Sequence, residues 1–455
     1  MKKTILLLHA VLLLSSCGIY TKYQPQTSVP DNLYGTEVNT SDTLNIGYIR
    51  WQDFFTDPYL QELIEKGVKN NTDVLTAQLR VEEAKASLLS AKLAYLPSFA
   101  LSPQGNITKV EGQQTSQTYT LPVTASWEID IFGKLRNSKR QAQAALAGSE
   151  DYRQAVYSNL IANIANSYYT LLMLDEQLRI SRETAESWNE TIISTQALMD
   201  AGMSDEAAVS QMKATYYEVQ NTIIDLEEQI SQTENALSLL LSETPHKIER
   251  GTLSDQHFPT GLSVGIPIQL LSNRPDVRMY ERELEQAFYV TNQANASFYP
   301  SVTLGGDAGW TNSLGEVITN PGKFLVSAIA SLTQPLFNKG TLIARRKIAK
   351  AQQEEASLAF RQVLLNAGSE VNDALVSYQT SKKKKENYEQ QIQSLENAYR
   401  STSLLMENGN ITYLEVLTAK QSLLTAQLSQ TANSFKETQS LINLYQALGG
   451  GQDID

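Results

Sequence analysis

The chain has 455 residues, of which 42% are hydrophobic and 19% charged, and its formal net charge is −12. That length leaves room for two or three ordinary domains, and the composition excludes both a disordered chain and a polytopic helical membrane protein. The acidic balance argues against nucleic acid as a partner, and one Cys with three His leaves almost no material for disulfides, zinc or a His-based active site.

Residues 1–16 read as a secretory signal. Lys2 and Lys3 precede an apolar run from Thr4 to Leu14, and the small residues Ser15 and Ser16 follow it. The run is too short for the ~20 residues a membrane-spanning helix needs. Leu14-Ser15-Ser16-Cys17 resembles the bacterial lipobox, which implies that Cys17 becomes the lipidated N-terminus; Gly18 in place of Asp implies sorting to the outer membrane. A buried free thiol is the plainer alternative. Residues 17–56 would then be a lipid-anchored segment. Beyond the signal no uninterrupted apolar run reaches ~18 residues, so any membrane crossing falls to strands, which alternate.

The first half is expected over 57–243. A helix over 58–96 ends at Pro97, which cannot continue a helix. The period then becomes two. Phe99, Leu101 and Ile107 mark a strand near 98–110, and Tyr119, Leu121, Val123, Trp127 and Ile129 mark another near 118–132. A helical pattern over 134–201 contains no Pro and one Gly, Gly148, giving a rod of about 100 Å if continuous. It turns at Ala201-Gly202-Met203-Ser204, with Gly as the helix stop and Ser204 as the cap of a returning helix over 204–242. That helix carries a heptad seam of Val209, Met212, Tyr216, Val219, Ile223, Leu226, Ile230, Leu237 and Leu240, with Thr233 the one polar position.

After a connection over 244–272 the same order recurs over 273–447. Helices are expected at 275–298, 341–408 and 412–447, and strands near 301–312 and 323–336. Residues 448–455 are left as a tail. Within the last strand Leu325 and Ile329 fall out of phase. The second turn is Asn408-Gly409-Asn410, with Thr412 as the cap, and the second seam is interrupted by Gln421, Thr431 and Thr438. Residue matches tie the halves together. At an offset of 203, Pro97 and Ser98 match Pro300 and Ser301; at 205, Phe132 and Lys134 match Phe337 and Lys339. At 207, Gly202 matches Gly409 and Lys213 matches Lys420. The chain reads as one half-molecule used twice.

Geometry then constrains assembly. Four strands with a lipid-suitable face cannot close a barrel, and open edges cannot exist in lipid. Two chains would give eight strands, whose interior side chains fill; three would give twelve, wide enough for a conduit. The Ser- and Thr-rich strand face suits a wet lumen.

Several motifs, in this order, resemble the TolC-like outer-membrane efflux proteins, in particular the OprM/NodT-type lipoprotein branch. They are Tyr95-Leu96-Pro97-Ser98, Trp127-Glu128-Ile129-Asp130-Ile131-Phe132-Gly133-Lys134-Leu135-Arg136, Asn273-Arg274-Pro275-Asp276-Val277, Tyr299-Pro300-Ser301 and Leu444-Tyr445-Gln446-Ala447-Leu448-Gly449-Gly450-Gly451. The resemblance implies a mainly α fold with a β-barrel part: a homotrimer with a twelve-stranded barrel continuous with a twelve-helix α-barrel. It implies a passive exit duct for small toxic compounds or drugs, with no cofactor. The implied partners are outer-membrane lipid, a periplasmic adaptor (membrane fusion protein) and an inner-membrane transporter of the RND type. Gly202, Met203, Ser204, Gly409, Asn410 and Thr412 would form adaptor-docking tips, although simple helix connections explain them equally. Leu414, Glu415 and Thr418 would narrow the tunnel, with Thr418 standing where the family commonly has an acidic residue. An ordinary exposed helix face is the alternative for Glu415.

Glu128 and Asp130 are paired carboxylates without a nearby nucleophile or metal set, so positioning the strand-to-helix junction is favoured over catalysis. Lys382 to Lys385 read as a solvated helix face. An enzyme finds no constellation here. A coiled-coil lipoprotein scaffold explains the seams but not two amphipathic hairpins. A duct for a secreted protein shares the channel architecture.

Overall fold

A computed structural model describes residues 21–25, 28–35, 45–112, 114–258, 265, 267–314, 317–407 and 412–452. The fold is mainly helical. The principal helices are α1 (Pro58–Asn70), α2 (Thr72–Leu93), α3 (Lys134–Asp200), α4 (Glu206–Leu240), α5 (Pro275–Ala296), α6 (Thr341–Glu407) and α7 (Tyr413–Ala447). The strands are β1 (Ser98–Leu101), β2 (Gln104–Thr108), β3 (Ser116–Ile129), β4 (Ser301–Leu314) and β5 (Val317–Thr333). Among the described residues, no helix is long and apolar enough to cross a membrane.

Two elements differ from the sequence expectation. The helix expected over 58–96 is two helices, because Asn71 breaks it. Its Oδ1 accepts from the backbone amides of Asp73 and Val74 at 2.9 and 3.3 Å, capping α2, while its amide donates to the Leu240 carbonyl at 2.9 Å. The strand expected over 98–110 is interrupted at Ser102 and Pro103, and β1 and β2 pair in turn with β3.

The chain divides into two compact units. The first contains residues 79–151 and 279–362 among its described part, and the sheet lies in it. Every pairing is antiparallel, in the order β1 or β2, β3, β4, β5. The register sorts the faces. Leu121, Trp310 and Phe324 form one row across three strands, and Val123, Ala308 and Val326 the next but one, all on one face. Thr124, Asp307 and Ser327 lie in a row on the other, with Ser327 Oγ donating to Asp307. The out-of-phase Leu325 and Ile329 sit on that polar face opposite Gly309 and Gly305, residues with no side chain to oppose them. Gly309 is itself required: a Cβ there would stand 2.1 Å from the Leu121 carbonyl oxygen.

The strand-to-helix junction explains the carboxylate pair. Asp130 accepts from the backbone amides of Leu135 and Arg136 at 3.1 and 2.7 Å, so it satisfies donors at the start of α3 that have no partner within the helix. Glu128 pairs with Lys134 at 2.9 Å. Trp127 donates its ring N–H to the Tyr95 carbonyl at 2.8 Å, which ties β3 to the end of the α2 segment.

The second unit contains residues 28–78, 152–278 and 363–455. Its core is built on the buried aromatics Tyr34, Phe54, Phe55, Tyr168, Tyr169 and Trp188. Residues 448–452 of the expected tail pack instead. Leu448 and the three following glycines are buried, and Gly451 donates its amide to the Tyr445 hydroxyl at 2.8 Å. Tyr445 stacks on Phe54 at 4.1 Å between centroids and donates to the Ile49 carbonyl at 2.6 Å. A side chain at Gly450 would collide with the Tyr445 ring, and Gly449 has φ +86° against the Asn273 carbonyl.

Candidate functional site

The end of the second unit where α3 turns into α4 and α7 begins holds the residues expected to dock and to narrow. Gly202 has φ +74°, and two bonds close the end of α3: Gly202 N donates to the Met199 carbonyl at 2.9 Å and Met203 N to the Leu198 carbonyl at 2.8 Å. This nested pair is the glycine-dependent helix stop that the sequence implied. The chain then presents Met203 to solvent, 72% exposed. Ser204 is not the cap of α4. Asp205 takes that position, its carboxylate accepting from Ala208 N at 2.8 Å, because it is the residue directly before the first helical turn and carries the stronger acceptor.

Thr412 does occupy the cap position of α7, but its side chain makes no cap bond. Its hydroxyl donates to the Glu415 carboxylate instead, which holds that carboxyl below the ordinary glutamate range. Leu414, Glu415 and Thr418 are all exposed, while Val416 between them is buried. Thr418 turns its hydroxyl back to the Leu414 carbonyl at 2.8 Å, leaving its methyl for the surface. Gly409, Asn410 and Cys17 lie outside the described residues.

Behind this exposed face the helices are packed by two different means. On α4, Met212, Val219, Ile223 and Leu226, all positions of the heptad seam, are buried in a cluster with Leu174, Leu178, Ile180 and Trp188 of α3 and Leu424 of α7. On α7, the buried positions include Lys420, Thr431, Asn433, Thr438 and Ser440. Asn433 donates to the Ser381 carbonyl at 2.8 Å and Ser440 to the Ser377 hydroxyl at 2.8 Å, both on α6. Of the interruptions noted in the second seam, Thr431 and Thr438 are buried and Gln421 is half-buried, and the Thr431 hydroxyl donates to the Gln427 carbonyl at 3.1 Å.

Two motifs far apart in sequence meet in this unit. The Arg274 guanidinium, 9% exposed as a side chain, bonds both oxygens of Asp276 at 3.0 and 2.6 Å, Glu370 at 2.5 Å and the Ala447 carbonyl at 3.2 Å. The guanidinium in turn holds the Asp276 carboxyl below the usual carboxylate range. Pairing makes the burial of a charge tolerable here. The Asn-Arg-Pro-Asp-Val and Leu-Gly-Gly-Gly stretches therefore serve one junction rather than a binding site. The exposed run Lys382 to Lys385 is a solvated face. Among the described residues, no group of three or more His, Cys, Asp or Glu is placed to hold a metal ion.

A paired set of amphipathic strands joined to very long helices defines a class of channel-forming envelope proteins. The outer membrane efflux protein family model matches residues 63–243 and 266–450, and the chain belongs to that family. It is an efflux channel of the outer membrane. The probable outer membrane lipoprotein SilC of Salmonella typhimurium is 28% identical over 460 residues, covering 99% of each chain. The cation efflux system protein CusC of Escherichia coli is 28% identical over 447 residues, covering 97% of each. A solved structure of CusC superposes with a TM-score of 0.84, covering 94% of this chain and 99% of that one at 26% identity. The open state of the Neisseria gonorrhoeae MtrE outer membrane channel gives 0.84, with 95% and 97% covered at 26% identity.

Proposed function

We propose that this chain is the exit duct of a tripartite efflux pump, passively conducting small toxic compounds or drugs. In this reading three copies assemble, their sheets close into a twelve-stranded barrel, and their long helices form a tunnel. The observation that carries it is the sheet: within one chain its outer strands β1 and β5 have no further neighbour among the described strands, and Phe99, Leu101, Val123, Trp310, Phe324 and Val326 stand exposed on it. An unpaired edge beside an apolar face has no stable home in water or in lipid, whereas closure with copies of itself satisfies both. Internal duplication is supported by matched lengths. Helices α2 and α5 have 22 residues each, α3 and α6 have 67 each, and α4 and α7 have 35 each.

The remaining assignments belong to the same reading. Cys17 carries the lipid. The turns at Gly202, Met203 and Ser204 and at Gly409, Asn410 and Thr412 dock a periplasmic adaptor, which connects the duct to an inner-membrane transporter of the RND type. Leu414 and Glu415 converge from three chains to narrow the tunnel, Thr418 lining it one turn on. The chain acts as a conduit and not as an enzyme.

The test is electrical. Purified protein incorporated into planar bilayers should give discrete conductance steps, and cross-linking should give a trimer. A monomer, or bilayers that stay silent, would sink the proposal. Separately, Cys17→Ser should abolish incorporation of radiolabelled palmitate while trimer remains in the membrane fraction. Labelling that persists would remove Cys17 as the lipid site.

A further inference from the structure

The charge at Lys420 is out of place. It lies on α7, two turns into the helix, and only 4% of the residue is exposed. Its ammonium stands 4.4 Å from the centroid of the Trp188 ring on α3 and 5.5 Å from that of Tyr399 on α6, and it donates to the Thr191 hydroxyl on α3 at 3.3 Å. One cation therefore touches all three helices. Lys213, which matches it at an offset of 207, is exposed on α4. The same residue type, at matched places in the two halves, is solvated in one and desolvated in the other.

Desolvation decides how such a group behaves. Burial pushes the Lys420 amine down to about 8 from the ordinary 10.5, and Glu190 on α3 is the nearby charge that pulls it back. The aromatic faces of Trp188 and Tyr399 also favour the cation. The other charged groups lining the same groove, about 400 Å³ in volume, are Glu176, Arg179 and Glu183 on α3 and Glu396 on α6. Arg179 is engaged with Glu176 and Glu183 at 2.6 Å each. Below about pH 8 the buried amine is charged and its packing is disfavoured relative to a hydrated lysine. Between about 8 and 10.5 the packed amine is neutral while a hydrated one would still be charged, so the packed arrangement gains as pH rises through that window.

We propose that Lys420 is a positioning residue for opening, a charge lodged between α3, α6 and α7 that keeps the start of α7 ready to part from the other two helices. This rests on the channel reading above, since what parting would widen is the constriction at Leu414 and Glu415, five or six residues earlier on the same helix. Helix α4, whose Met212, Val219, Ile223 and Leu226 join the apolar cluster on α3, buries no such charge. The two aromatic rings and the Thr191 hydroxyl stop the cation from expelling itself, so the helix is loosened without being lost.

The experiment measures open probability of the purified full-length protein in planar bilayers from pH 6.5 to 9.5, for the wild type, Lys420→Met and Lys420→Arg. The wild type should be more open below about pH 8 and close progressively above it. Lys420→Met keeps the stem without the charge and should be less open by ten-fold or more at pH 7, with a flat profile. Lys420→Arg stays charged throughout and should restore opening, also with a flat profile. A Lys420→Met profile that follows the wild type, or a Lys420→Arg that closes on alkalinisation as the wild type does, would overturn the inference. An independent reading needs no variant. The pH dependence of acetylation at Lys420, measured by mass spectrometry on the wild type with Lys213 as the solvated reference, should have its midpoint near 8. A midpoint matching that of Lys213 would overturn the inference even if Lys420→Met failed to assemble. Wild-type bilayers that stay silent at every pH would overturn the channel reading, and this inference with it; wild-type channels whose opening ignores pH would overturn this inference alone.

Discussion

Helices α4 and α7 have the same length, 35 residues, and follow helices that also match in length, yet they are held by different chemistry. α4 buries Met212, Val219, Ile223 and Leu226 in an apolar cluster with α3, and its buried polar residues are Thr215 and Ser238. α7 buries Lys420, Thr431, Asn433, Thr438 and Ser440 between Val416 and Leu424 at its start, the latter in the same cluster as α4, and Leu441, Ile442, Leu444 and Tyr445 at its end. Apolar burial is non-directional and adds up with area. Hydrogen-bonded polar burial contributes little net stability but is costly to disturb halfway. The comparison teaches that equal helical length need not mean equal packing: α7 buries five polar side chains, a lysine among them, where α4 buries two.

The sharpest way to break this comparison is to open a hole in the rigid seam. Met212 is fully buried in the cluster, and Met212→Ala should cost about 2–5 kcal/mol. Thermal unfolding in detergent should show a clear loss of stability. If Ser440→Ala, which removes the α7 hydrogen bond to Ser377, costs as much, the distinction fails. A smaller effect is expected at the turn. Gly202→Ala places a Cβ at φ +74°, where the left-handed conformation costs roughly 1–2 kcal/mol, with open space around it. Hydrogen exchange should accelerate at the end of α3 and leave the core of α4 unchanged.

The caps sharpen the comparison further. Asp205→Ala removes a cap bond and should destabilise α4 by about 1 kcal/mol. Thr412→Val removes no cap bond from α7, so stability should hold, while the Glu415 carboxyl loses its donor and titrates closer to the ordinary glutamate range. Carboxyl NMR of the labelled residue reads the shift; a Glu415 that titrates unchanged in Thr412→Val would show that the hydroxyl does not act on it. Smallest in energy but functional in kind, Glu415→Gln should weaken cation selectivity and block by a trivalent cation in bilayer recordings, because in the proposed trimer a ring of like charges would attract cations. Unchanged selectivity would place Glu415 away from the lumen.

Much of the fold could be read from residues because it rests on local rules. Pro97 and Pro300 end helices, alternation marks Tyr119 to Ile129 as a strand with two faces, and Gly202 stops α3, since each is a consequence of backbone sterics or side-chain period within a few residues. The seam of α4 was equally legible, as the apolar residues step by three and four along it. Legibility failed where a partner decides the outcome. Asn71 has the composition of any helix residue until the Leu240 carbonyl and the two following amides claim its side chain. Asp205 and Ser204 are both acceptable caps, and only the turn geometry selects between them.

The sequence by itself determined the order and type of the elements, the apolar and polar faces of the strands, and the family, because these follow from period, breaker residues and motif order. The tertiary structure alone decided which polar residues are buried. Leu325 and Ile329 are out of phase along their strand, and only the register that sets them against Gly309 and Gly305 gives them a place. Lys213 and Lys420 match in sequence, and only packing makes one a solvated lysine and the other a cation between two aromatic rings. The physical reason is that burial and pairing are properties of neighbours brought from elsewhere in the chain, and a charge feels its neighbours far more strongly than its own helix.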